Sequence, residues 1–201
     1  MKKQVVLIHG AETFDNYEAY LGFLQKFEMK DLDQFRRRSW KKSLGERLGG
    51  DFEIIAPEMP NGLNAKYLEW KIWFDKIVPL LNQEVVLVGH SLGGTFLVKY
   101  LAENKFPKNI KSLHLAAPAY DAEGTEESMA DFLMPDNLEA VSNSSERILL
   151  YQSKDDVVVP PLNAEKFKKA IPSIEVMYFE DRGHFRQEEF PELVENIRKN
   201  S

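Results

Sequence analysis

A serine in a glycine-rich turn, placed between an apolar strand and an apolar helix, constrains this 201-residue chain more than any other feature. Residues 85–88 are consecutive, mostly β-branched apolar residues, which predict a strand buried on both faces. The sequence G-H-S-L-G follows at residues 89–93, and apolar residues then recur at helical spacing over residues 95–101. This pattern predicts a nucleophile elbow, in which a strained turn exposes the Ser91 hydroxyl at the carboxyl end of a sheet.

The composition limits the fold size, the partners and the kinds of site that are possible for this chain. Hydrophobic residues make up 43% of the chain and charged residues 29%, as is typical of a globular protein, and the length predicts one domain over residues 1–201. The net charge of -6 disfavours nucleic acid or an anionic membrane surface as the main partner. The absence of cysteine excludes disulfides, thiol catalysis and thiolate metal sites.

The apolar runs bear on location. The first run, at residues 5–8, is too short for the core of a signal peptide, and no run approaches the length of a membrane span. We therefore expect a cytoplasmic protein without a membrane span.

Short apolar strands alternate with helical patterns along the chain. The predicted strands are residues 5–8, 52–57, 85–88, 110–118, 147–152 and 174–179. One or two helices are predicted within residues 12–33, and another begins in the basic run at 36–42 and ends at the glycines at 49–50. Further helices are predicted at residues 64–81, 95–101, 163–170 and 188–200. We expect Trp70 and Trp73 to pack in the core, and the basic run to be a solvated helix face rather than a patch for an anionic partner. The alternation predicts an α/β fold with three layers: a doubly wound, mostly parallel six-stranded sheet with helices on both faces.

One connection, residues 119–146, is long and acidic. All of its charged residues are aspartate or glutamate, and methionine, phenylalanine and leucine interrupt them. One interpretation is a short lid or wall over the carboxyl edge of the sheet, where ligands bind in open α/β folds. The other interpretation is an ordinary solvated connection.

Candidate partners for the serine follow two later strands. A serine hydroxyl needs a base to take its proton, and the base needs a third group to orient it. Asp155 and Asp156 follow the fifth strand, and His184 follows the sixth. Because the carboxyl ends of parallel strands meet at one edge, these residues are expected beside Ser91, in the chain order that accompanies the elbow. We therefore predict Ser91 as nucleophile, His184 as general base and acid, and one of the two aspartates as its orienting group.

These motifs resemble those of the α/β-hydrolase superfamily. The matching segments are H-G at residues 9–10, G-H-S-L-G-G at 89–94, D-x-x-V-P at 156–160 and G-H-F at 183–185. The short chain is similar to the small serine hydrolases of the RBBP9/YdeN type, which lack two antiparallel strands of larger members. One departure is the stretch at residues 22–40, which is longer than the usual first crossover. In the family pattern the acid stands four residues before the proline. The resemblance therefore implies Asp156 as the acid, with Asp155 as a turn residue or secondary acceptor.

Backbone donors and the remaining histidines complete the predicted site. We predict the N–H groups of Leu92 and Ala11 as the oxyanion hole. His9 is expected to fix the turn before Ala11, His90 to line the pocket or pack beside it, and His114 to be a hydrogen-bonded core residue. No histidine pair has metal-ligand spacing, and the chain has no EF-hand, P-loop or G-x-G-x-x-G motif. We therefore expect neither a metal nor a nucleotide cofactor.

These predictions favour a serine hydrolase that cleaves a carboxylic ester or a related small acyl compound through an acyl-enzyme, in the manner of a carboxylesterase. Amide or thioester cleavage, or acyl transfer, would use the same residues. An alternative of another class is a hydrolase-fold protein that mainly binds a protein partner and has an idle site. The sequence leaves open the natural substrate and the choice between monomer and dimer.

Overall fold

The computed structural model describes residues 1–29, 31–32, 39–124 and 128–201. Its strands are β1 (Lys3–Ile8), β2 (Phe52–Ile55), β3 (Glu84–His90), β4 (Asn109–Ala116), β5 (Ile148–Ser153) and β6 (Ile174–Phe179). They form one sheet in the order β2-β1-β3-β4-β5-β6, and every neighbouring pair is parallel. The predicted six-stranded α/β sheet is confirmed, and it is parallel throughout rather than mostly parallel.

Helices connect the strands. They are α1 (Tyr17–Lys26), α2 (Trp40–Leu48), α3 (Tyr67–Ile77), α4 (Leu92–Glu103), α5 (Glu139–Ser142), α6 (Leu162–Ala170) and α7 (Pro191–Lys199), with 3₁₀ turns at Val78–Leu80 and Ala130–Phe132. Helix α2 ends at Gly49, whose φ of 90° suits glycine. Helix α7 begins three residues later than predicted, at Pro191, because proline fits the first turn of a helix. No helix in these ranges is long and apolar enough to cross a membrane.

Alternation along the strands builds two cores, one on each face of the sheet. On β1, Val5 and Leu7 contribute to a core with α2 and α7, whereas Val6 and Ile8 contribute to a core with α3, α4 and α6. This arrangement confirms the predicted three layers. Helix α1 has no buried residue and therefore belongs to neither core. Residues 36–38 of the predicted basic face lie outside the described residues.

The two tryptophans of α3 have different environments. Trp70 is fully buried, and its Nε1 donates to the carbonyl of Pro60 at 2.7 Å. The side chain of Trp73 is 44% exposed, so the expectation of a core position was wrong for this residue. Trp73 lies about a quarter of a turn from the line of buried residues on the helix, at the edge of the contact with the sheet.

The acidic connection is anchored to the core in its described part. Phe132 and Val141 are fully buried, and the Asp131 carboxylate accepts the N–H of Tyr67 at 2.9 Å, at the start of α3. Near the other end of the connection, Asn163 of α6 accepts the backbone N–H of Tyr120 at 2.8 Å. An ordinary solvated loop does not have such contacts. Movement of this segment as a lid stays a prediction.

Candidate active site

Ser91 lies at the tight turn between β3 and α4. Its φ of 54° and ψ of -127° are unusual for a residue with a side chain, and such strain persists only where the surroundings impose it. The Ser91 N–H donates to the carbonyl of Ala116 at 2.8 Å. A Cβ added to Gly93 would lie 2.4 Å from the Ile8 carbonyl oxygen, so the close approach of β1 requires glycine there. These contacts hold the serine at the carboxyl end of β3.

The order of the strands brings the predicted residues to one edge. Ser91 follows β3, Ala11 follows the neighbouring strand β1, and Asp156 and His184 follow β5 and β6. The connections from β1 and β3 leave in opposite directions along the sheet, which makes the gap between these strands a topological switch point. Ligands of open α/β sheets bind at such points.

Asp156 and His184 are in direct contact. His184 Nδ1 and Asp156 Oδ2 are 2.8 Å apart, and both residues are buried. The other oxygen of the carboxylate accepts the N–H groups of Val158 and Val159, each at 2.9 Å. Because the carboxylate accepts at Nδ1, the neutral imidazole carries its proton there and keeps Nε2 free to accept one.

Asp155 has a different role in the structure. Its side chain is exposed and accepts the Ser153 hydroxyl at 2.5 Å and the Gly183 N–H at 2.8 Å. These hydrogen bonds lower the pKa of the Asp155 carboxyl. The structure therefore brings Asp156 to the imidazole of His184, whereas Asp155 accepts a hydrogen bond from the backbone of Gly183, the residue before His184.

In the described part of the chain, the two predicted oxyanion donors have no hydrogen-bond acceptor. Leu92 is the first residue of α4, where helical N–H groups lack internal partners. Among the described residues, neither its N–H nor that of Ala11 makes a hydrogen bond. The first turn also lies against the nucleophile, since a Cβ added to Gly10 would be 3.0 Å from Ser91 Cβ. Both N–H groups are thus available near the serine.

His9 fixes the turn that carries Ala11. Its Nε2 accepts the N–H of Met59 at 2.9 Å, and its Nδ1 lies 2.8 Å from the carbonyl oxygen of Gly10. Since a carbonyl only accepts, the ring carries its proton on Nδ1. The contacts agree with the expected structural role.

His90 makes contacts that the sequence did not reveal. It is 4% exposed, its Nε2 lies 2.9 Å from the backbone carbonyl oxygen of His184, and Lys41 Nζ lies 3.1 Å from its Nδ1. Burial, and after it the charge of Lys41, holds the pKa of His90 well below its usual value, so the ring is neutral. No sequence motif joins Lys41 to residues 49 or more positions away, and only the fold brings them together.

His114 lies within β4, away from the reacting edge. Its two ring nitrogens contact the Tyr151 hydroxyl and the Ser112 hydroxyl, each at 2.9 Å. Burial lowers the pKa of His114 to about 3. This environment is that of the hydrogen-bonded core histidine that we expected. Among the described residues, no three histidine, aspartate or glutamate side chains converge to hold a metal ion.

Comparisons with known proteins agree with this geometry. A model of the family described as "Serine hydrolase" matches residues 30–196. Serine hydrolase RBBP9 of Rattus norvegicus is 23% identical over 161 residues, which cover 79% of this chain and 83% of that protein. The crystal structure of the ydeN gene product from B. subtilis has a TM-score of 0.78 at 19% identity, covering 99% and 98% of the two chains. An esterase (EaEST) from Exiguobacterium antarcticum has a TM-score of 0.62 at 16% identity, covering 98% and 91%. At identities this low, the two structures show the compact α/β-hydrolase fold alone.

Proposed function

The chain belongs to the serine hydrolase family, and we propose that it cleaves a carboxylic ester or a related small acyl compound through an acyl-enzyme on Ser91. The observation that carries this proposal is the buried 2.8 Å contact between His184 Nδ1 and Asp156 Oδ2, at the sheet edge where the elbow holds Ser91. The proposal requires the imidazole that Asp156 orients to take the proton of the half-buried Ser91 hydroxyl, which is how such a hydroxyl is activated for acyl transfer.

The first half of the proposed reaction forms the acyl-enzyme. Ser91 Oγ attacks the acyl carbon while its proton passes to His184 Nε2. The carbonyl oxygen becomes an oxyanion, which accepts hydrogen bonds from the N–H groups of Leu92 and Ala11. The intermediate then expels the alcohol, which takes the proton from His184. Asp156 stabilises the imidazolium that exists between these two proton transfers.

The second half of the reaction returns the enzyme to its starting state. Water attacks the acyl carbon, and His184 accepts the proton of the water and then gives it to Ser91 Oγ as the acid is released. Among the described residues, neither Ser91 Oγ nor His184 Nε2 has a hydrogen-bond partner, so the two atoms do not bond each other in this structure and the proposed reaction requires that contact to form with substrate.

Labelling with a fluorophosphonate probe tests whether Ser91 is an activated nucleophile. We expect the wild type to be labelled and Ser91→Ala to be unlabelled. Ser173→Ala is the matched control, because Ser173 is an exposed serine whose hydroxyl donates to the Ser142 carbonyl at 3.3 Å. A folded wild-type protein that is not labelled would overturn the proposal and favour the alternative of a protein-binding role.

Chromogenic substrates test the ester assignment. We expect hydrolysis of p-nitrophenyl esters, with a dependence of kcat/KM on acyl-chain length that measures the acyl pocket. The p-nitroanilide and thioester with the same acyl group should have lower kcat/KM. If kcat/KM for the anilide or the thioester exceeds that for the ester, Ser91 is still the nucleophile but the assignment to ester hydrolysis is wrong.

A further inference from the structure

We propose that Lys41 and His90 are positioning residues for His184: Lys41 keeps His90 neutral and in the tautomer that donates to the backbone carbonyl of His184. The inference rests on the proposed function, because it takes His184 as the general base. Neither Lys41 nor His90 touches the reacting atoms in this scheme, and both act through His184.

The hydrogen bonds allow only one tautomer of His90. A carbonyl oxygen can only accept, so the 2.9 Å contact with the His184 carbonyl requires a proton on His90 Nε2. A neutral imidazole with a proton on Nε2 has an acceptor at Nδ1. Lys41 Nζ supplies a donor to this atom at 3.1 Å. An amine has an N–H whether it is charged or neutral, so this tautomer persists across the titration of Lys41.

The charges around His90 keep its ring neutral. Among the described residues, the charged or titratable groups that act on it are Lys41 from α2 and His184 and Arg186 from the turn after β6, and none of these three is an acid. Burial and these groups hold the pKa of His90 far below its ordinary value, whereas burial and Arg186 lower the pKa of Lys41 to about 8. At neutral pH the proton therefore resides on Lys41 rather than on His90.

A neutral His90 matters because His184 must become cationic during the reaction. The two rings have centroids 5.0 Å apart, so a positive charge on His90 would oppose the charge that forms on His184. The start of α2 also fixes the backbone of this turn at the next residue, since Trp40 Nε1 donates to the Phe185 carbonyl at 2.9 Å. Two consecutive residues of α2 thus help to fix two consecutive carbonyls of this turn. Trp40 donates directly to the Phe185 carbonyl, and Lys41 acts on the His184 carbonyl through His90.

Three variants test the role of Lys41. Lys41→Met removes the donor and the charge, Lys41→Arg keeps both, and Lys42→Met removes a neighbouring exposed charge of the same helix as the matched control. The readout is kcat/KM for p-nitrophenyl acetate between about pH 5 and about pH 9, on proteins whose thermal midpoints have been measured. We expect Lys41→Met to lose about tenfold at neutral pH, because the base is less well oriented. The acidic limb of its pH profile should also shift, because loss of the Lys41 charge raises the pKa of His90 while burial still lowers it.

The remaining outcomes decide the inference. Lys41→Arg should stay within about threefold of the wild type and keep the wild-type pH profile, and Lys42→Met should be unchanged. If Lys41→Met retains the wild-type kcat/KM and pH profile, the inference is wrong. If the wild type itself neither hydrolyses the ester nor reacts with a fluorophosphonate, the proposed function fails instead.

A measurement on the wild type keeps the inference testable if Lys41→Met does not fold. Nitrogen-15 NMR of histidine-labelled protein should show His90 with a protonated Nε2 and an unprotonated Nδ1 throughout the pH range of activity. A His90 signal with the proton on Nδ1, or a charged ring at neutral pH, would overturn the inference.

Discussion

Asp155 and Asp156 show how adjacent residues with the same chemistry acquire different roles. Asp156 contacts the imidazole of His184, whereas Asp155 accepts the backbone N–H of Gly183. We predict that Asp156→Asn lowers kcat by about 10³- to 10⁴-fold, because the amide no longer stabilises the imidazolium. Asp155→Asn should cost less than about tenfold, since its amide oxygen can still accept from Gly183. Hydrolysis of p-nitrophenyl acetate by both variants measures this difference, and a larger loss in Asp155→Asn would show that the acid has been misassigned.

At the residue scale, the sequence was most informative where a motif requires a particular chemistry. Strand ends predicted Ser91, His184 and one of two aspartates at one edge, and the family resemblance implied Asp156; the structure places these three residues there. The contacts of His90 with Lys41 and with the His184 backbone depend on how α2 packs against the turn after β6. Such contacts leave no local pattern in a single sequence, because the residues are far apart along the chain.

The elbow depends on glycine, because a side chain at Gly93 would clash with neighbouring backbone. In Gly93→Ala the new Cβ would lie 2.4 Å from the Ile8 carbonyl oxygen and 2.5 Å from that of His9. We predict a loss of at least about 3 kcal/mol in the free energy of unfolding, because the backbone of the elbow and that of residues 8–9 must move apart. Gly22→Ala is the control: among the described residues, no atom beyond its chain neighbours and the backbone of α1 lies within 4 Å of the new Cβ, and alanine should stabilise α1 by about 0.5–1 kcal/mol. Urea unfolding of both variants provides the measurement, and equal stability of Gly93→Ala and the wild type would contradict the assigned contact.

The acidic connection between β4 and β5 can be tested in the same way. Phe132 is fully buried beside Trp70, with ring centroids 5.4 Å apart, whereas the next residue, Leu133, is 55% exposed. We predict that Phe132→Ala costs about 3–5 kcal/mol of unfolding free energy. Leu133→Ala should change it by less than about 0.5 kcal/mol. Equal effects in urea unfolding would mean that the segment is not anchored through Phe132 in solution.

At the element scale, the existence and type of the strands could be predicted better than the limits and faces of helices. All six predicted strands are present within two residues at each end, because short apolar runs between turns have few other interpretations. The exposed Trp73 shows the limit for helices. An apolar stripe does not reveal where the contact with the sheet stops, and this position is decided by packing.

For the whole molecule, the parallel arrangement of the strands brings residues that are distant in the sequence together in one site. A chain that alternates strand and helix must bring its strand ends to one edge, so the fold class already predicts which turns meet. The sequence did not predict that α1 lies outside both cores or how α2 reaches the turn after β6. Both depend on long connections, which carry little periodic signal.

The stability of the whole molecule should depend on His90 and His114, the buried histidines whose pKa is lowered. Burial lowers the pKa of His114 to about 3 and holds that of His90 well below the ordinary value. Below about pH 6.5 the unfolded chain binds a proton at each histidine and the folded chain does not, so stability falls as the pH falls. The loss begins near the unfolded pKa and ends only when the folded pKa is reached, which for His114 is about 3.

We predict that His114 lowers the free energy of unfolding by about 2 kcal/mol between pH 7.5 and about pH 5, and that His90 acts in the same direction. Carboxyls with lowered pKa, such as that of Asp121, release their contribution only at lower pH, and Lys41 titrates above this window. His114→Gln removes one titrating group and should reduce this pH-dependent drop by about 2 kcal/mol, whatever its effect on absolute stability. Urea unfolding of both proteins across this range measures the two slopes. A wild-type stability that does not change between these pH values would mean that His90 and His114 are not buried as neutral rings in solution.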